Sequence, residues 1–231
     1  MTKIKHLLSA FALLFFIVLT SCSKDSATDP ATTPPTPSSG NYYPTALNNT
    51  WSYKQNNTTL APEKIIGTEV FNNLTYFKFN PITLSGVTLT KYIRHDNGVY
   101  YLKTSDATIN LSGLTGTQTG FESILLKDNV PVDTIWSGTY TTTTTYTGYP
   151  AILSTTNYTA KIIAKDVTAV VGTTTYNDVI KVLLTNTTTS QNNISVATSE
   201  YWLAKNVGVI KSLQTTGTNS YATDLVSYSL F

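Results

Sequence analysis

Short runs of β-forming residues, separated by compact turn signals, are the feature that most constrains the fold of this chain. The clearest turn signal is Asn97-Gly98, which separates a run at 89–96 from a run at 99–103. A two-residue Asn-Gly loop suits a type I′ turn, whose twist matches the strands that it joins. We therefore predict an antiparallel hairpin here. Its cross-strand pairs are Ile93 with Leu102, Arg94 with Tyr101, and His95 with Tyr100.

The same pattern continues along the chain and predicts an all-β fold. Asn72-Asn73 is a second turn signal, and residues 158–165 alternate between apolar and polar side chains with the period of a strand that has one wet face. A Thr-rich stretch at 139–147 is interpreted as an exposed strand or a loop. Roughly ten to twelve sequential strands favour an antiparallel meander that forms a strongly curved sheet or open barrel, with a β-sandwich as the alternative. The later strands are predicted at 176–185, 194–203, 207–213 and 221–231.

The N-terminus is typical of an exported bacterial lipoprotein. A short basic segment precedes an apolar run of about 13 residues, fewer than the roughly 20 that a helix needs to cross a bilayer. The run ends in Leu19-Thr20-Ser21-Cys22, which resembles the lipobox of an aliphatic residue, two small residues and cysteine. We therefore expect residues 1–21 to be a cleaved signal peptide and Cys22 to be the lipidated first residue of the mature protein.

The predicted anchor is followed by a tether. Residues 22–40 are rich in Ser, Thr, Ala, Asp and Pro and hold no bulky apolar side chain, so they cannot bury enough surface to order themselves. Prolines favour extended stretches of about 3.1 Å per residue, which would hold the domain off the bilayer. Residues 41–231 remain for a single all-β domain, an ordinary length for one sandwich or barrel.

Charge and cysteine content narrow the classes of partner and site. The sequence has 15 Lys and Arg against 13 Asp and Glu, and the predicted signal peptide holds Lys3 and Lys5, so 13 of each sign remain. This balance gives no electrostatic case for nucleic-acid binding. Cys22 is the only cysteine, so a disulfide or cysteine-based zinc site is excluded. The predicted partner is the membrane, reached through the lipid anchor.

Four segments of the predicted domain share their residues with a known group of proteins. They are Tyr43-Pro44 with Asn49-Thr50-Trp51-Ser52-Tyr53; Tyr92-Ile93-Arg94 with Asn97-Gly98-Val99-Tyr100-Tyr101; Leu125-Leu126-Lys127-Asp128 with Trp136; and Tyr201-Trp202-Leu203-Ala204-Lys205-Asn206-Val207-Gly208-Val209-Ile210-Lys211. Together they resemble uncharacterised lipoproteins of the Bacteroidota outer membrane and cell envelope. The resemblance implies a lipid-anchored all-β protein without an assigned activity, and it leaves the periplasmic face or the cell surface open. In place of a glycine common in those proteins this chain has Asn206, which tolerates a left-handed turn.

Two finer expectations depend on this lineage. Charged residues just after the lipidated cysteine mark lipoproteins exported to the surface, and Ser23-Lys24-Asp25 matches that pattern in part. The same bacteria attach glycans at Asp-Ser or Asp-Thr followed by an aliphatic or similar residue. Ser26 and Thr134 fit this motif and are the candidate O-glycosylation sites.

Catalytic and metal motifs give little support to an enzyme. His95 is the only histidine after the signal peptide and flanks a predicted turn, and the chain has no Gly-x-Ser-x-Gly elbow. It also has no cluster of His and Cys and no calcium-loop spacing. We expect no cofactor and no metal site.

Carboxylates and aromatics remain as candidates for ligand contacts. A glycosidase needs two carboxyl groups at a defined separation, and the glutamates available are Glu63, Glu69, Glu122 and Glu200. Glu200 and Trp202 are the candidate ligand-binding pair, because the indole could contact a sugar face. The competing interpretations are a solvated strand face for Glu200 and core packing for Trp51, Trp136 and Trp202.

Three functions remain open at this point. The leading hypothesis is a non-catalytic binding or scaffolding domain. The alternatives are a hydrolase of envelope or dietary glycans that uses two carboxylates, and a carrier of a lipid-like ligand inside a curved sheet. The concave face distinguishes the three, because it would show paired carboxylates, an apolar cavity or a filled core.

Overall fold

The structure is a computed structural model. It describes residues 38, 40–56, 58–111, 113–191 and 193–231, within the compact unit Pro35–Phe231. Cys22 and Ser26, the predicted lipidation site and a candidate glycosylation site, lie outside these residues. Among the residues described, no helix is long and apolar enough to cross a membrane.

The described residues form 17 strands and no helix. The strands of the first half are short, because turn signals recur every few residues. They are β1 Thr50–Gln55, β2 Thr58–Thr59, β3 Glu63–Phe71, β4 Leu74–Phe79, β5 Ile82–Leu84, β6 Val87–Leu89, β7 Lys91–Asp96, β8 Val99–Thr104, β9 Ala107–Leu111, β10 Leu114–Gln118 and β11 Glu122–Lys127. The second half forms longer strands: β12 Ile135–Tyr146, β13 Ile152–Val171, β14 Thr174–Ser190, β15 Asn193–Ala204, β16 Gly208–Thr216 and β17 Asn219–Ser229.

All strand pairs are antiparallel and join into one sheet. From one edge to the other the order is β5-β6-β9-β10-β12-β13-β14-β15-β16-β17-β1-β3-β4-β7-β8-β11, and β2 adds to β1. The sheet curls into a half-barrel. This confirms the predicted all-β curved sheet over the sandwich alternative.

The hairpin at Asn97-Gly98 is confirmed in register and in turn geometry. Its cross-strand partners are the three predicted pairs. Both loop residues have positive φ, +47° for Asn97 and +81° for Gly98, as a type I′ turn requires. Gly98 meets a second constraint, because a Cβ there would collide with the Oδ1 of Asp128. Asn206 also adopts the predicted left-handed conformation, with φ of +59°.

Strand number and length differ from the sequence prediction. For the Thr-rich stretch 139–147, the strand is the interpretation confirmed, because residues 139–146 belong to β12 and pair with β13 and β10. The strand count exceeds the expected ten to twelve. Several extra strands, such as β5 and β6, have only three residues, too few to display a period of two.

The buried apolar side chains of the described residues form one hydrophobic core. Trp51 and Trp136 belong to it, as predicted, whereas Trp202 is half-buried and packs against its margin. The Trp51 ring contacts Tyr43 edge-on with a centroid distance of 5.8 Å, and its Nε1 donates to the carbonyl of Val207 at 2.7 Å. These contacts tie β1 to the turn before β16.

Side chains close the half-barrel along β11. The amide of Ile124 donates to the Tyr158 hydroxyl, and the Trp136 Nε1 donates to the Ile124 carbonyl, both at 3.2 Å. Gly138 leaves the space that the Tyr158 ring occupies, since a Cβ there would collide with it. Two side chains therefore satisfy backbone groups that an edge strand would otherwise expose.

The segment that enters the half-barrel is held by hydrogen bonds from several strands. Ser38, which the sequence analysis placed in the tether, donates from Oγ to the Oδ2 of Asp128 at 2.7 Å. The Tyr100 hydroxyl donates to the carbonyl of Gly40 at 3.0 Å, and the Asn206 amide donates to the carbonyl of Asn41 at 2.6 Å. Contacts with the domain thus begin before residue 41.

Candidate ligand-binding pocket

A pocket of about 270 Å³ opens on the concave face of the half-barrel. Residues from β1, β3, β5, β7, β8, β11 and β15 to β17 line it, so segments distant in the sequence meet there. The pocket has three parts with different chemistry: a row of uncharged hydrogen-bonding side chains, an aliphatic group, and an ion pair. The curl of the sheet brings these parts together.

The hydrogen-bonding row crosses four neighbouring strands. Strand register places Tyr201 beside Ser212 and Ser212 beside Thr223, and Thr223 is the partner of Gln55. Directly paired residues of an antiparallel sheet lie on the same face, with Cβ atoms roughly 4.5–5.5 Å apart. All four line the pocket. The row therefore presents three hydroxyl groups and one amide side by side.

Part of this row has no hydrogen-bond partner in the portion of the chain that the structure describes. The Gln55 Nε2 donates to the Thr223 Oγ1 at 3.3 Å. In contrast, the hydroxyl groups of Tyr201 and Ser212 have no partner among the residues that the structure describes. Each hydroxyl can donate one hydrogen bond and accept two, so these positions are free to bind a polar group.

Aliphatic side chains supply another part of the lining. They come from strands that do not pair with the row: Ile82 and Leu84 from β5, Leu102 from β8, and Leu125 from β11. Leu84 is 49% exposed although it is a large apolar residue. A ligand that covered it would remove apolar surface from water, which is worth about 25 cal/mol per Å².

An ion pair between Glu63 and Lys91 also lines the pocket. The Lys91 Nζ contacts the Glu63 Oε2 and donates to the Tyr43 hydroxyl at 2.8 Å. It also lies 4.3 Å from the centroid of the Phe79 ring. The two charged side chains are only 17% and 19% exposed, for Lys91 and Glu63 respectively. The pair thus neutralises itself inside the pocket.

Tyrosine hydroxyls near the ion pair stay protonated. Burial raises the pKa of Tyr43 well above its ordinary value, and the nearby negative charge of Glu63 raises it further. Burial and Glu63 raise the pKa of Tyr53 in the same way, and its hydroxyl donates to the carbonyl of Val209 at 3.0 Å. Both phenols are therefore neutral hydrogen-bonding groups at physiological pH.

Glu200 and Trp202, the ligand-binding candidates of the sequence analysis, lie next to the pocket in sequence but are not part of its lining. Side chains alternate between the faces of a strand, and Tyr201 between them points to the pocket. The Trp202 Nε1 donates to the Glu200 Oε1 at 2.6 Å, and the Lys181 Nζ lies 3.7 Å from the Trp202 ring centroid. Ligand binding by this pair stays a prediction for the opposite face.

The other glutamates are engaged at separate places. Glu69 forms an ion pair with Lys78, and Glu122 accepts a hydrogen bond from Tyr76 at 2.7 Å. Among the described residues that line the pocket, Glu63 is the one carboxylate, and its partner is Lys91. The described lining therefore does not hold two carboxyl groups flanking a substrate, as glycoside hydrolysis requires.

The remaining candidates lie on the surface. His95 is exposed and stacks on Tyr100 with a centroid distance of 4.3 Å. Thr134 is exposed in the turn before β12, so its hydroxyl is accessible, and its glycosylation stays a prediction. Within the described part of the chain, no three His, Cys, Asp or Glu side chains gather in a way that could hold a metal ion.

Of the residues that line the pocket, only Glu63 was predicted from the sequence as a functional candidate, and it was predicted as a catalytic carboxylate. Its partner Lys91 lies 28 positions away, and β3 and β7 are each paired to β4 instead of to one another. The alternation in β15 was a usable signal for Tyr201, since a strand that turns Glu200 to one face turns the next side chain to the other face. The row that continues from Tyr201 depends on strand register, which has no local signal.

No protein-family model matches the chain, and neither does any curated protein. Two solved structures are similar to it. A "putative lipoprotein" from Parabacteroides distasonis has a TM-score of 0.52 and 11% sequence identity, over 82% of this chain and 99% of that one. A "putative exported protein with YmcC-like fold" from Bacteroides fragilis has a TM-score of 0.37 and 8% identity over the same shares of the two chains. At these identities, the first similarity shows a shared fold.

Proposed function

We propose that this protein is a lipid-anchored lipoprotein of the outer membrane whose half-barrel binds a small ligand in the concave pocket and does not transform it. The observation that carries the binding function is the pocket itself, about 270 Å³ in volume, with a hydrogen-bonding row and an exposed aliphatic group in one cavity. Ligand sites in proteins usually combine an apolar lining with a few placed polar groups.

Several observations support the envelope location. Leu19-Thr20-Ser21-Cys22 supplies the lipobox, and residues 7–19 supply an apolar run of the length of a signal-peptide core. The protein of similar fold from Parabacteroides distasonis is itself described as a "putative lipoprotein". A lipid anchor would place the pocket near the membrane surface, on the periplasmic face or outside the cell.

The chemistry of the pocket favours binding over catalysis. Glu63 is held by Lys91, so it is not free to act as a general base or nucleophile. A hydroxyl nucleophile needs a neighbouring base to activate it. Among the residues that the structure describes, no imidazole, amine or carboxylate forms a hydrogen bond with the hydroxyl of Tyr201 or Ser212. These groups can recognise a polar ligand by hydrogen bonding.

Binding can be tested with N-phenyl-1-naphthylamine, an uncharged dye whose fluorescence rises in apolar surroundings. We expect saturable binding to the native protein. Leu84→Arg replaces an aliphatic lining residue with a charged one and should weaken binding by roughly 10- to 150-fold, since losing the burial of one leucine is worth about 1.5–3 kcal/mol.

Leu111→Arg is the matched control, because Leu111 is also an exposed leucine, 40% accessible, and is not part of the pocket lining. It should leave dye binding unchanged, and both variants should melt as the native protein does. Equal binding by all three proteins would place the dye elsewhere and would refute the proposed site.

A further inference from the structure

We infer that the pocket selects an uncharged amphiphile, a molecule with a hydroxyl or similar neutral polar head and an aliphatic body. This inference rests on the proposed binding function and names the chemical class of the ligand. It is drawn from the charges, the two kinds of lining and the size of the pocket.

The ion pair argues against a charged ligand. An anion that approached Lys91 would also meet the carboxylate of Glu63, and a cation that approached Glu63 would meet the Lys91 ammonium. Lys91 is already bound by Glu63 and Tyr43. A charged ligand would therefore lose its hydration without gaining an unpaired counter-charge, which is costly in a partly buried site.

The polar head has a binding surface in the hydrogen-bonding row. Tyr201 and Ser212 are neighbours across β15 and β16, and their hydroxyls are free to donate and to accept. Thr223 and Gln55 extend the row across β17 and β1. A hydroxyl, ester or amide group matches this surface, because it exchanges hydrogen bonds without a net charge.

The apolar body has its own surface in the aliphatic group. Ile82, Leu84, Leu102 and Leu125 offer branched aliphatic side chains without a polar atom. A fully hydroxylated molecule such as a free sugar would leave many of its polar groups unpaired against them. A volume of about 270 Å³ holds about nine groups of the size of a water molecule, at roughly 30 Å³ each. This suits a head with a chain of a few methylenes, and a longer chain would extend through the open side.

The ligand class can be tested by displacing N-phenyl-1-naphthylamine from the pocket. Three of the competitors have the same chain length, namely octan-1-ol, octanoate and octylammonium, and the fourth is glucose. All are measured at about pH 7, where the acid and the amine are ionised. We expect octan-1-ol to displace the dye at a concentration at least tenfold lower than either ion, and glucose to displace none. Tightest binding by octanoate, octylammonium or glucose would overturn the inference.

A charge variant gives a second, independent result. Glu63→Gln keeps the shape of the side chain and leaves Lys91 without its carboxylate partner, so octanoate should displace the dye about tenfold better than it does from the native protein, with little change for octan-1-ol. Unchanged selectivity in a folded Glu63→Gln protein would show that the ion pair does not set the charge preference.

The two proposals fail in different ways. If an ion or glucose binds best and Leu84→Arg weakens it, the binding pocket stands and the ligand class is wrong. If the dye binds but none of the four molecules displaces it, the class is likewise wrong. If neither the dye nor any of the four molecules binds the native protein, both proposals are wrong.

Discussion

Gly98 meets two demands at once, which makes it the most constrained residue of the hairpin. Its φ of +81° lies in the left-handed region, where a side chain is strained. A Cβ would also run into the buried carboxylate of Asp128, which holds the entering segment through Ser38. The turn and the entry of the chain into the half-barrel thus depend on the same glycine.

Gly98→Ala should be more destabilising than an alanine at another glycine of equal φ. Gly148 has φ of +83° and open space around its missing side chain, so Gly148→Ala reports the conformational cost alone. That cost is about 1–2 kcal/mol, or roughly 2–8 °C in Tm for a domain of this size. Gly98→Ala adds about 1–3 kcal/mol of overpacking. Equal melting temperatures of the two variants would exclude the collision with Asp128.

The carboxyl group of Asp128 should make the free energy of unfolding increase as the pH falls from neutral to mildly acidic. Burial raises the pKa of its carboxyl above the ordinary 3.8, against the hydrogen bond from Ser38 and the charges of His95 and Lys165. Between these two pKa values the folded state binds a proton that the unfolded state does not, so the folded state gains stability as pH falls. The native protein should therefore gain stability relative to Asp128→Asn when urea unfolding is measured at about pH 5 instead of pH 7.

Glu69→Gln provides a control of opposite sign. The hydrogen bond from Lys78 lowers the pKa of Glu69, so the contribution of this residue to stability is present at neutral pH and is lost on acidification. The native protein should lose stability relative to Glu69→Gln over the acid range. If the difference in unfolding free energy between the native protein and Asp128→Asn did not change with pH, the pKa of the Asp128 carboxyl would not be raised in the folded state.

The sequence predicts the role of a single residue where that role depends on its immediate neighbours in the chain. Asn97 and Gly98 were predicted with their register because a two-residue turn sets the pairing of the strands that flank it. The Glu63–Lys91 pair was not predicted, because it forms only when the sheet curls. Nothing in the neighbourhood of either residue distinguishes it from the charged residues of an ordinary strand.

At the level of elements, β11 shows how an edge strand is protected without a neighbouring strand. Its backbone amide and carbonyl at Ile124 are satisfied by the side chains of Tyr158 and Trp136, which come from β13 and β12. An edge that is covered in this way cannot pair with another chain at that residue. The closure of the half-barrel therefore depends on two aromatic side chains.

Tyr158→Phe should loosen this closure. It removes the hydroxyl that accepts from the Ile124 amide and leaves that donor without its partner, at a cost of about 1–3 kcal/mol, or roughly 2–4 °C in Tm for each kcal/mol. Hydrogen exchange at Ile124 should become faster. Tyr201→Phe is the matched control, because the Tyr201 hydroxyl has no hydrogen-bond partner among the residues that the structure describes. This variant should melt as the native protein does. Unchanged exchange at Ile124 in Tyr158→Phe would refute the closure.

The strands of the second half were easier to predict than those of the first half. Long alternation at 158–165 lies within β13, which has 20 residues. β5, β6, β9 and β10 have three to five residues, and the pairings of β6 with β9 and of β10 with β12 join strands that are not consecutive in the sequence. The aliphatic part of the pocket comes partly from β5, so the site could not be assembled from the sequence.

At the scale of the whole molecule, the predicted anchor and the pocket have separate origins. The prediction of the anchor rests on a motif of four consecutive residues, 19–22, so the sequence alone is enough to make it. The pocket depends on residues between Tyr43 and Thr223 that meet only in the folded sheet. A change at the lipidation site should therefore alter location without altering ligand binding, and a change in the pocket should do the reverse.

Cys22→Ala should release the protein from the membrane and leave its pocket intact. Acyl chains bind a bilayer with about 0.8 kcal/mol per buried methylene, and Cys22 is the only cysteine that could carry one. We expect the native protein to take up labelled palmitate and to fractionate with membranes. The Cys22→Ala protein should lose both properties and still bind N-phenyl-1-naphthylamine with native affinity. Ser26→Ala, a change of similar size four residues into the tether, should keep the label and the membrane location. Palmitate retained by Cys22→Ala would mean that another residue carries the lipid, and an unlabelled native protein would mean that the lipobox is not used.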